Sequence, residues 1–157
     1  MSTVEVLTAL QNSPLGDAIG KSDHLVGAAA QVFHVLGFVF LLASVILINL
    51  RLSGLALNGQ SIPQVAKEPT RLIWAGLVFA VVSGILMFLS APLLYFSNPA
   101  FIAKIWLLAA AVILQVTLYR HVTTREAPSP LLAKLSIGLS IFLWFGVGVT
   151  GRAIGFI

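Results

Sequence analysis

Four long apolar stretches, at about 24–50, 70–91, 99–121 and 131–151, leave this chain very few ways to fold. Each exceeds the roughly 20 residues that a helix needs to cross a bilayer core of about 30 Å. The sequence therefore predicts an all-α protein, a transmembrane four-helix bundle. A short outward-facing N-terminal segment (1–22) precedes the four-span membrane domain (23–157). Hydrophobic residues make up 59% of the chain and charged residues 9%, which excludes an ordinary soluble domain. With 157 residues, no second domain is expected.

Helix punctuation supports these spans. Pro92 cannot continue the helical ladder without losing a bond, so the second span is expected to stop there. Asn98-Pro99 reads as N-cap and first helical residue of the third span, and Ser129-Pro130 as the same signal for the fourth. Between the first two spans, 51–69 reads as a polar connection. Residues 3–11 are weakly amphipathic and lie on the membrane surface or fray. Neither a basic start nor an apolar core occurs in the first twenty residues, so no cleavable signal peptide is expected.

The chain has no cysteine, which excludes disulfides, thiolate metal sites, covalent haem attachment and iron–sulfur clusters. Its net charge of +4 reports topology rather than a nucleic-acid partner. Arg51, Lys67, Arg71, Arg120, Arg125 and Lys134 fall on one side of the spans, Lys21, Lys104 and Arg152 on the other. The more basic side is assigned to the cytoplasm, which leaves both termini outside. The expected location is a bacterial inner membrane with periplasmic termini.

Small residues recur on helix faces: Gly76, Ala80, Ser83 and Gly84 in the second span, Ser136, Ser140, Gly146 and Thr150 in the fourth. They permit close helix packing. On the first span Gly27, Ala30 and Gly37 share a face with His34, which would leave room for a flat ligand beside the imidazole.

Polar groups within the spans carry the functional argument. A lysine in hydrocarbon costs several kcal/mol, and Lys104 stands in the run Ile102–Leu108. At about 1.5 Å rise per residue, His34 lies roughly 12 Å below the outer boundary and Lys104 roughly 7 Å. His24 opens the first span at that boundary and Arg152 ends the fourth there. His34, Lys104, Arg152 and His24 are therefore the candidate cofactor-binding residues, with His34 as metal ligand. Haem b suits this set. His34 would hold the iron, while Lys104 and Arg152 would neutralise propionates, or Lys104 would supply a sixth ligand. The cofactor-free reading of the same residues is a hydrogen-bonded His34, a snorkelling Lys104 and an interfacial Arg152. His121 closes the third span at the opposite surface and reads as interfacial. Gln115 reads as an interhelical hydrogen bond. Trp74, Trp106, Trp144 and Tyr95 read as packing or interfacial residues by default.

His34-Val35-Leu36-Gly37 with Leu50-Arg51-Leu52-Ser53-Gly54, the opening Asn98-Pro99-Ala100-Phe101-Ile102-Ala103-Lys104, and Gly151-Arg152-Ala153-Ile154-Gly155 resemble segments of an uncharacterised family of small four-span bacterial inner-membrane proteins. More distantly, the pattern is similar to copper-resistance protein D-like domains and to HemJ, a haem-binding protoporphyrinogen oxidase. The HemJ resemblance implies a haem-linked pair of a first-span histidine and a third-span lysine, here His34 and Lys104. After the histidine this chain reads Phe38-Val39-Phe40-Leu41, without the aromatic-Ala-Gly signature of HemJ.

Four functions compete. The first is a b-type haem protein that transfers electrons at the periplasmic face, as an anchor for membrane or periplasmic redox partners. The second is a HemJ-like porphyrinogen oxidase, the third a copper-handling protein and the fourth a cofactor-free accessory subunit. Copper(I) prefers sulfur ligands, and only Met1 and Met87 offer any. Intramembrane carboxylates, common in proton pumps and transporters, do not occur in the spans.

Overall fold

The computed structural model describes residues 2–21 and 24–156, apart from the side chains of Leu15 and His24. In chain order the helices are α1 (Thr3–Gln11), α2 (Pro14–Gly20), α3 (His24–Leu52), α4 (Ile62–Ser90), α5 (Pro92–Ser97) and α6 (Pro99–Leu114). A π-helical turn (Gln115–Tyr119) leads from α6 into α7 (Arg120–Thr123), and α8 (Pro130–Ala153) completes the fold. No strand occurs among the described residues. The helices Leu25–Leu52, Ile62–Ser90, Pro99–Thr123 and Pro130–Ala153 are long and apolar enough to cross a membrane. The chain is a multi-pass membrane protein whose exposed apolar helix faces meet lipid.

The termini of these helices follow local chemistry. Asn98 Oδ1 accepts from the backbone N–H groups of Ala100 at 2.9 Å and Phe101 at 3.2 Å, with Pro99 in the first turn of α6. Ser129 precedes Pro130 as expected, but its side chain makes no capping bond. α3 ends in a Schellman motif: Gly54 has φ 73°, its N–H donates to Arg51 O, and the Leu55 N–H donates to Leu50 O. Residues 3–11 form a helix held by a capping box, in which Ser2 and Glu5 bond reciprocally. α1 packs on α5 and α2 on α4.

One boundary differs from expectation. α4 begins at Ile62, so much of the stretch read as a polar connection is helix. Ser61 caps it, and Ile62, Val65, Ala66 and Pro69 turn one buried face inward while Lys67 and Glu68 stay outside. Average polarity hid this face.

The bundle is built from two hairpins. α3 packs intimately along α4, α6 packs along α8, and α3 and α8 join the pairs. The α3–α4 seam depends on glycine: a Cβ on Gly37 would come within 2.7 Å of Gly76 O. The core comprises Leu41, Val45, Ile48, Ala66, Ile73, Ala111, Tyr119 and Trp144. Tyr119 in the π turn donates from its hydroxyl to Val45 O at 3.3 Å, tying the third span to α3. At the other end Phe88, Tyr95 and Phe101 form an aromatic cluster joining α4, α5 and α6, with Phe88 and Phe101 stacked 5.6 Å apart.

Candidate functional site

The start of α3, the end of α4, the start of α6 and the end of α8 meet at one end of the bundle. There His34 and Lys104 come into direct contact. Lys104 Nζ lies 3.2 Å from His34 Nε2, and His34 Nδ1 lies 3.2 Å from Ser83 Oγ. The hydroxyl of Ser83 donates to Phe79 O at 2.6 Å. Its single hydrogen being used there, Ser83 Oγ accepts from Nδ1–H, and Nε2 presents its lone pair to Lys104. The polar chain runs from Lys104 to His34 to Ser83 to the backbone of α4.

Two helices give this pair its space. A Cβ on Gly84 of α4 would lie 3.0 Å from His34 Cε1, and a Cβ on Gly151 of α8 would lie 3.2 Å from Lys104 Nζ. Both side chains rest where any larger residue would collide. Gly37, expected to leave room for a flat ligand, is instead spent on close contact between α3 and α4.

The remaining expected members of the site separate. Arg152 is exposed and stacks over the Phe156 ring, 4.7 Å from its centroid, rather than turning toward His34. The side chain of His24 lies outside the described residues. His121 is exposed on α7 at the opposite end. Gln115 is buried, but its Oε1 lacks the interhelical partner expected of it. Trp144 is buried in the core and Trp106 is 74% exposed.

Two polar residues gain roles that the sequence did not announce. Ser83, read as a small packing residue, orients the imidazole. Asn49 is buried on α3 and donates from Nδ2 to Ser140 Oγ of α8 at 2.9 Å, joining the two hairpins. An amide inside the apolar run 45–50 was the available signal for Asn49.

Imidazole and neutral amine nitrogens are both of a type that can bind a haem iron, but here Nε2 accepts from Lys104 at 3.2 Å, so the pair would have to separate for either to do so. Among the described residues, no group of three or more His, Cys, Asp or Glu side chains forms a metal site. No curated protein and no solved structure matches the chain at a significant level. Its sequence does match a family of unknown function (DUF6644) over residues 10–157, and to that family the chain belongs.

Proposed function

We propose that this protein is a b-type haem-binding membrane protein, with His34 and Lys104 holding the haem and electrons passing at their end of the bundle. The observation that carries the reading is the opposition of His34 Nε2 and Lys104 Nζ, with Nδ1–H anchored on Ser83. A bound haem supplies a one-electron carrier. The protein's own residues orient the imidazole through Ser83, bring the amine to the same point and surround both with apolar helix. A haem held here would take His34 as its iron ligand, with Lys104 either supplying a second ligand once the pair separates or neutralising a propionate, and the HemJ resemblance pairs the same two residues. A HemJ-like porphyrinogen oxidase is the more specific form of this proposal.

The basic residues favour an orientation with the His34 end outward, which in a bacterial inner membrane would be the periplasmic side. Membrane or periplasmic redox proteins are then the natural partners. The second reading, a cofactor-free accessory subunit, is favoured by the satisfied hydrogen bonds of His34, which let the pair serve as a polar tie between helices.

Absorption of the purified protein in mild detergent, oxidised and dithionite-reduced, separates the two. The haem reading expects a Soret band and a reducible α-band, both lost in His34→Ala, kept in His121→Ala and shifted in Lys104→Met. A colourless protein after expression with added haem precursor selects the accessory subunit.

A further inference from the structure

At the basic end of the bundle the two hairpins leave a cleft of about 510 Å³ between the first turns of α4 and the π turn with α7. The cleft is far from the His34–Lys104 pair, and its lining is of a different kind. Lys67 and Arg120 stand on its two walls, with Thr70 and Thr123 between them and Trp74 deeper along α4. Neither cation forms an ion pair among the described residues, and the nearby carboxylate of Glu68 is taken by Arg71 at 3.0 Å. Gln115 also lines the cleft, is 4% exposed, and has an Oε1 with no hydrogen-bond partner. A buried carbonyl oxygen without a donor costs free energy until something supplies one.

The backbone is modified at the same place. The third span departs from α-helical geometry at Gln115–Tyr119, which begins with the unpartnered amide. Such π segments occur frequently at functional sites. Pro69 inside α4, next to the cleft-lining Thr70, lacks the N–H that would satisfy Val65 O.

We propose that this cleft binds the phosphate headgroup of an anionic, hydroxyl-bearing phospholipid. Lys67 and Arg120 take the phosphate, a headgroup hydroxyl donates to Gln115 Oε1, and Trp74 packs along the glycerol and upper acyl chain. Two cations from separate helices can each donate to one of the two free oxygens of a phosphodiester, and a basic pocket between spans is the setting in which anionic headgroups bind. The hydroxyl requirement comes from Gln115, because a headgroup with acceptors alone leaves its oxygen unpaired.

The test uses the full chain in detergent and reads the midpoint of thermal unfolding with added dioleoylphosphatidylglycerol, dioleoylphosphatidylcholine or inorganic phosphate. Phosphatidylglycerol is expected to raise the midpoint by several degrees, with little response to the other two. The double variant Lys67→Gln/Arg120→Gln should lose that shift, and Gln115→Leu should reduce it. Lys67 and Arg120 are exposed, so the double variant is expected to fold. Arg125→Gln/Lys134→Gln removes two charges from the same end outside the cleft and should keep the full shift. The proposal fails if inorganic phosphate matches the lipid, if phosphatidylcholine does, or if both double variants respond alike. A colourless preparation would leave it standing, since the cleft and the His34 pair share no residue.

Discussion

Gly84 of α4 faces the imidazole of His34 so closely that a methyl group in its place would lie 3.0 Å from Cε1. Helix α4 thus contacts the histidine through Ser83 on Nδ1 and through this glycine on the Cε1–Nδ1 edge of the ring. Gly84→Ala should displace the ring and lower stability by about 1–3 kcal/mol, the usual cost of overpacking. Gly138 on α8 has open space where its Cβ would go. Gly138→Ala should therefore stabilise α8 by about 0.5–1 kcal/mol through helix propensity alone. Unfolding in detergent compares the two, and equal signs would refute the packing argument.

Ser83→Ala removes the oxygen that accepts from His34 Nδ1–H. The expected loss is about 1 kcal/mol of stability. In haem-loaded protein the absorption bands should persist while the midpoint potential shifts, because the ring loses its orientation and not its ligand atom. Ser83→Thr keeps the hydroxyl and should restore the potential. A potential indifferent to all three residues would remove Ser83 from the site.

The buried pair Asn49–Ser140 should respond asymmetrically. Ser140→Ala leaves Asn49 Nδ2 unpaired beside an Oδ1 that already has no partner. Its cost should be about 1 kcal/mol or more, whereas Asn49→Leu removes both polar atoms, leaves Ser140 Oγ still donating to Ile137 O, and should cost less. Chemical or thermal unfolding of each variant decides this. A larger loss for Asn49→Leu would contradict the assignment.

Because the chain has no cysteine, single introduced thiols report its orientation directly. Gln11→Cys, on the exposed face of α1, should react with an impermeant maleimide in intact cells. Gly59→Cys and Glu126→Cys, in the loops at the basic end, should react only after lysis. The reverse pattern would place the His34–Lys104 pair at the cytoplasmic face.

The sequence by itself determined the spans and several of their ends, because hydropathy over about twenty residues and the chemistry of Asn98, Pro99 and Pro130 act locally. It also placed His34 and Lys104 in one layer, since helical rise turns residue count into depth. It could not say that the two nitrogens touch. That contact depends on Ser83, Gly84 and Gly151, which reach the pair from α4 and α8 and are ordinary small residues when read in line. The start of α4 at Ile62 was hidden for a related reason: burial of one face among polar neighbours has no signature in average polarity. Arg152 left the expected cluster because an exposed side chain at a helix end is oriented by its nearest ring, Phe156. The cleft beside Gln115 is lined jointly by α4, the π turn and α7, a matter of how helices pack and not of what each one contains.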